Sequence, residues 1–139
     1  MNKVLFICTG NTCRSPMAEG IFNFLSGGAV SRGIYAEGGG ASENAVKAME
    51  KMGIDISKHV STQLTMEDVK EADLVLTMTK GHKAVVVSAV PDAKDKVFTL
   101  GEYAGGGDVS DPYGGSEEVY EKCAREIYNY IERIVEKLK

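Results

Sequence analysis

The chain has no tryptophan, and aromatic residues make up only 7% of it, too few for a surface that stacks nucleic-acid bases. Nor is it basic. Sixteen Lys and Arg stand against twenty Asp and Glu, a net charge of −4, and neutralising a phosphate backbone needs a positive face. Cysteine is sparse (Cys8, Cys13 and Cys123), and the histidines are His59 and His82. Such a set makes neither a disulfide framework nor zinc-finger spacing, so no metal site is expected. No apolar run approaches the ~18 residues of a membrane span, and Met1-Asn2-Lys3 with the short apolar run after it falls short of a signal peptide. These absences lead us to expect a cytoplasmic, monomeric protein that binds neither nucleic acid nor membrane.

What is there reads as one domain over residues 1–139. Val4-Leu5-Phe6-Ile7 is a short continuous apolar run, the mark of a strand buried on both faces. After Pro16, apolar residues recur at helical spacing until Gly27-Gly28. Ala29 to Ala36 is expected to form a second strand, and Ala45 to Met52 a helix closed by Gly53. Thr65-Met66-Glu67-Asp68 reads as a capping box opening a short helix. Leu74-Val75-Leu76 is a third strand, followed by a helix over Lys83–Val90, and Val97-Phe98-Thr99-Leu100 a fourth. A polar, Gly-rich loop then spans Gly101–Gly115. The last helix, from about Ser116, carries Val119, Tyr120, Cys123, Ile127, Ile131, Ile134 and Leu138 on one stripe. The alternation predicts an α/β fold: a small doubly wound, flavodoxin-like four-stranded parallel sheet with helices on both faces.

Ligands of such sheets sit beyond the carboxyl ends of the strands. The loop Cys8-Thr9-Gly10-Asn11-Thr12-Cys13-Arg14-Ser15-Pro16 lies there, between the first strand and a helix. Backbone N–H groups and a helix N-terminus favour an anion in this position. The loop is neither a Walker A sequence nor G-x-G-x-x-G, so nucleotide binding is not indicated. Its distinguishing feature is a cysteine at the floor. Thiolate is the nucleophilic form, and a helix N-terminus and a guanidinium both stabilise it. Arg14 suits a phosphoryl group in charge and bidentate geometry, Ser15 offers the sulfur a hydroxyl, and Gly10 is expected to allow a turn that a Cβ would obstruct. Expelling a leaving group needs a proton, and Asp111, in Asp111-Pro112-Tyr113 at the same end of the sheet, is the candidate acid.

On these motifs the chain resembles the low-molecular-weight protein phosphatase family, over nearly its whole length. The resemblance implies that Cys8 is the nucleophile, Arg14 binds the transferred phosphoryl group, and Asp111 acts as general acid and then base. It further implies that Thr9, Gly10, Asn11, Thr12, Cys13, Arg14 and Ser15 form the phosphate loop, with Ser15 assisting the thiolate and His59 bonding the loop asparagine. Phosphorylated proteins would be the substrates, and no metal or organic cofactor is implied.

Within the family, Thr12 resembles the bacterial protein-arginine phosphatases, where tyrosine phosphatases usually carry an apolar residue. This favours phosphoarginine, with phosphotyrosine as the alternative. Tyr113 stands where that subgroup would be expected to have Phe. Gly38-Gly39-Gly40-Ala41 supplies no aromatic wall, so substrate stacking is expected to rest on Tyr113. Arsenate reductase would need resolving cysteines near the third strand, and Leu76–Val90 has none. A phosphoryl-carrier domain would not need Asp111 or Arg14, and a redox-sensing module is the remaining alternative. Cys8 and Cys13 share one curled loop and are expected to close a disulfide when Cys8 is oxidised, with Cys123 excluded.

Overall fold

Every residue of β1, Val4–Cys8, is buried, because helices cover both sides of this strand. Strand alternation sends Val4, Phe6 and Cys8 to one face and Leu5 and Ile7 to the other. The computed structural model describes residues 3–138; Met1 and Asn2, part of the stretch weighed against a signal peptide, and Lys139 lie outside the described residues. The remaining elements are α1 (Arg14–Leu25), β2 (Ala29–Gly33), α2 (Glu43–Glu50), α3 (Met66–Glu71), β3 (Leu74–Thr77), α4 (Lys80–Ala89), β4 (Val97–Thr99), α5 (Leu100–Ala104) and α6 (Glu117–Leu138). A 3-10 turn over Pro91–Lys96 leads into β4.

The four strands are parallel in the order β2-β1-β3-β4. Helices α1, α2, α5 and α6 contribute to the core on the Phe6 face, while α3 and α4 pack on the Leu5–Ile7 face. This is the doubly wound α/β sheet expected from the sequence. The chain leaves β1 toward one layer and β3 toward the other, so a crevice opens between their carboxyl ends. The long helix α6 holds its layer down with Tyr120, Cys123, Ala124, Ile127, Ile131 and Ile134. Burying each isoleucine there contributes ~1.5–3 kcal/mol. No helix among the described residues is long and apolar enough to cross a membrane.

Several boundaries differ from the sequence reading, each for a local reason. Strand β2 ends at Gly33 rather than Ala36, since its partner β1 ends at the paired Cys8 and leaves the following residues no strand to pair with. Helix α4 begins earlier, at Lys80, because Thr79 caps it. The segment expected as loop from Gly101 opens inside α5, which a Thr99–Glu102 capping box starts. On the α6 stripe Val119 is 45% exposed and Leu138 is only partly buried.

The β1–β2 register also corrects the role expected of Gly10. A Cβ on Gly10 would meet only the Thr12 hydroxyl, at an ordinary 3.7 Å. The crowded position is Gly33, opposite Cys8, where a Cβ would lie 2.8–2.9 Å from Thr9 O, Asn11 N and Gly10 C. These are backbone atoms of the cysteine loop and cannot swing aside. Gly33→Ala is therefore expected to lower Tm by about 5 °C or more and to weaken binding of inorganic phosphate. Unchanged values of both in thermal denaturation and titration calorimetry would show that the contact is slack.

Candidate active site

The loop between β1 and α1 is held by Asn11. It has φ +58°, the one positive value at a non-glycine among the described residues, and asparagine tolerates this left-handed region better than most side chains. Its Oδ1 accepts the Thr62 N–H (2.9 Å), which fixes the amide orientation. The Nδ2 group then donates to Ser15 Oγ (2.8 Å) and to Ser31 Oγ (2.9 Å). Ser31 Oγ donates to Glu19 Oε1 (2.6 Å), and His59 Nε2 donates to the Asn11 carbonyl (2.8 Å). Ser61 Oγ holds the Gly10 carbonyl at 2.8 Å.

These directions decide what reaches the sulfur. Cys8 Sγ lies 2.8 Å from Ser15 Oγ. Because that oxygen already accepts from Asn11, the Ser15 proton is free to point at sulfur, and the arrangement suits a thiolate acceptor. Helix α1 adds its positive end. Its first turn carries no acidic residue and no side-chain cap, whereas Ser42, Thr65, Thr79 and Thr99 cap α2 to α5.

Arg14 is buried beside the loop. Its Nη1 donates to the Val109 carbonyl (3.0 Å), and its Nη2 lies 3.7 Å from Asp111 Oδ2. Val109 is fully buried, and its N–H bonds the Met78 carbonyl at the end of β3 (3.0 Å). That anchor brings the Asp111 segment onto the cysteine loop. No role was expected of Val109, whose signal was one apolar residue in a polar loop.

Tyr113 follows Asp111 and is 81% exposed, its N–H donating to Asp111 Oδ1 (3.1 Å). The triple-glycine segment is pinned by the Ser61 N–H to the Gly39 carbonyl (2.8 Å) and by pairing of Gly40 with Val60. Thr12 is partly exposed, with Oγ1 3.6 Å from Cys13 Sγ. All three cysteines are free thiols. Cys13 Sγ packs against Tyr120 Oη (3.3 Å) and Ser42 Oγ (3.6 Å). Cys123 touches the Ser110 carbonyl, and burial pushes its thiol up to about 12, which keeps it protonated and inert.

His82 was not among the expected site residues. It sits nine-tenths buried in the first turn of α4, with Nε2 2.9 Å from Thr9 Oγ1. Burial first, and the neighbouring Arg14 charge second, push its pKa down to about 4, against a smaller opposing pull from Asp111 and Asp108. Among the described residues no cluster of three or more His, Cys, Asp or Glu could hold a metal ion.

A parallel sheet whose first strand delivers a thiol into a Cys-x5-Arg anion loop, with a carboxylate across the mouth, has the architecture of a cysteine-dependent phosphatase. Comparison with known proteins agrees. Residues 3–139 match the model of the low molecular weight phosphotyrosine protein phosphatase family. A protein-arginine-phosphatase of Geobacillus stearothermophilus is 45% identical, over 99% of this chain and 96% of its own length. A protein-arginine-phosphatase of Bacillus subtilis is 42% identical over 98% and 96%. A crystal structure of a low molecular weight protein tyrosine phosphatase from T. tengcongensis superposes with a TM-score of 0.95 at 51% identity, covering 99% of both chains. The chain belongs to the low molecular weight phosphotyrosine protein phosphatase family.

The neutral His82 has a measurable consequence. Its folded value lies below the ordinary 6.5, so in acid the unfolded chain takes up the proton first. The stability carried by the neutral ring is therefore complete above about pH 6.5 and is lost as pH falls toward 4. Between pH 7 and pH 5 the protein is expected to lose about 2 kcal/mol more than His82→Gln does in urea denaturation. Parallel losses in the two proteins would contradict the neutral state.

Proposed function

We propose that this phosphatase hydrolyses phosphoarginine in proteins through a phosphocysteine intermediate on Cys8, working as a single-domain monomer. The observation that carries the cysteine mechanism is the Cys8–Ser15 contact of 2.8 Å in the same loop as Arg14, with Asp111 3.7 Å from that guanidinium. In the first step the Cys8 thiolate attacks phosphorus and the P–N bond breaks. Asp111, protonated, gives its proton to the departing guanidine nitrogen. In the second step water attacks phosphorus, Asp111 takes the water proton, and the P–S bond breaks to release phosphate and thiolate. Arg14, resting on the Val109 carbonyl in this structure, would turn to the equatorial phosphoryl oxygens, where charge spreads as the bonds exchange. All seven residues from Thr9 to Ser15 contribute to the phosphate loop in this account, with Ser15 and His59 as its supports.

Two observations support phosphoarginine. The relatives at 45% and 42% identity are named for that activity, and Thr12 places a β-branched hydroxyl side chain at the loop rim. Such a wall offers a hydrogen-bonding group to a guanidinium and crowds a phenyl ring. The 51% identical T. tengcongensis structure, named as a tyrosine phosphatase, favours the second reading, phosphotyrosine. Tyr113, at the open mouth, is the aromatic contact either substrate would use. Cys13 is the thiol proposed to close a disulfide on an oxidised Cys8, for which its sulfur must turn away from Tyr120.

Paired peptides carrying phosphoarginine or phosphotyrosine test the preference. Wild-type kcat/KM is expected to be higher for phosphoarginine, and Thr12→Ile to shift the ratio toward phosphotyrosine by about tenfold or more. Negligible phosphoarginine turnover by the wild type would transfer the assignment to phosphotyrosine. Activity surviving in Cys8→Ser would overturn the mechanism altogether.

A further inference from the structure

His82 Nδ1 is buried and has no hydrogen-bond partner, a position unmatched by any other side-chain nitrogen or oxygen among the described residues. A buried N–H left unbonded is rarer and more costly than a bare acceptor nitrogen, so the ring proton belongs on Nε2. Nε2 then donates to Thr9 Oγ1 across the 2.9 Å contact. The depressed pKa of the ring agrees with this single-proton state, since Arg14 and the buried setting oppose a second proton while Asp108 and Asp111 only partly offset them.

The position of Thr9 gives that bond a consequence. Alternation along β1 turns Leu5 and Ile7 toward the α3–α4 layer, and Thr9 continues the same row toward His82 on α4. Its backbone is fixed, because its carbonyl accepts the Tyr35 N–H at 2.8 Å. Its side chain is exposed, immediately after the nucleophile in the loop. With one lone pair of Oγ1 occupied by His82, the Thr9 hydroxyl proton must point away from the ring, and no protein acceptor takes it among the described residues.

We propose that His82 is a positioning residue for the phosphatase reaction and that it aims the Thr9 hydroxyl, as a donor, at an anionic oxygen of the phosphoryl group in the cysteine loop. This rests on the phosphatase mechanism proposed above but not on which phosphorylated residue is preferred. A hydroxyl donor already oriented needs no reorganisation when charge gathers on the phosphoryl oxygens, and a bond to an anion is about twice as strong as a neutral one. It also explains why a buried histidine sits beside Arg14 as a neutral group. A second cation there would not be needed to hold the phosphate, whereas a rigid one-proton donor sets the Thr9 rotor.

The test uses inorganic phosphate as competitive inhibitor and p-nitrophenyl phosphate as substrate. Thr9→Val keeps the shape at an exposed position and removes the hydroxyl. It is expected to raise the phosphate inhibition constant and to lower kcat/KM by about tenfold or more. His82→Leu should lose a similar factor. His82→Gln, whose amide can donate to Thr9, should recover most of it, and adding His82→Leu to Thr9→Val should cost nothing further. Thr9→Val with both constants within about twofold of wild type would overturn the proposal. So would losses that multiply in the double variant, because His82 would then act independently of Thr9. Binding of phosphate to the variants, read by calorimetry, reports the Thr9 contact even if no phosphorylated substrate is turned over, an outcome that would strike the function reading instead.

Discussion

The side-chain amide of Asn11 is the interaction on which the site depends. It sits in left-handed backbone, where the loop must reverse, and its three amide hydrogen bonds reach Ser15, Ser31 and Thr62. One of those bonds orients the Ser15 hydroxyl toward Cys8, and another ties the loop to β2. The same residue thus fixes the loop's shape and the direction of the hydrogen bond at the Cys8 sulfur. Buried networks of this kind are stabilising only when complete, and here the outer members, Glu19, His59 and Ser61, complete it.

The opposite half of the site is built differently. Asp111 is held through the backbone of Val109, which bonds Met78, just past β3, on one side and Arg14 on the other. Its carboxylate remains about half exposed, and its ion pair with Arg14 is long. In the proposed mechanism, a rigid Cys8 loop facing a more open Asp111 suits a carboxyl that must meet first a leaving group and then a water. Arg14 links the two halves. In this structure it bonds the Val109–Asp111 segment, and in the proposed mechanism a bound phosphoryl group draws it into the loop.

Much of this was legible in the sequence because it is local. Continuous apolar runs marked β1 and β3, and Cys8, Arg14, Ser15 and Pro16 marked the strand–loop–helix step. The distant contacts were not legible. Gly33 matters because β2 runs against the cysteine loop, a relation between residues more than twenty positions apart that no motif records. The same holds for Val109 and for His82, which meets Thr9 only because α4 packs on the side of the sheet toward which Thr9 turns. Gly10 shows the converse: glycine in a tight loop suggests steric need, yet the left-handed conformation falls on Asn11. The Thr99–Glu102 capping box was available in the sequence and was hidden by the glycines around it.

The account's central claim is that Cys8 carries the phosphoryl group. The most direct measurement is mass spectrometry of Asp111→Asn protein, mixed with a phosphorylated peptide and quenched rapidly in acid. Without a carboxylate to activate water, the intermediate should accumulate, and peptide mapping should place one phosphoryl group on Cys8. Phosphate release that continues with no phosphorylated Cys8, or with the phosphoryl group on another residue, would contradict the account.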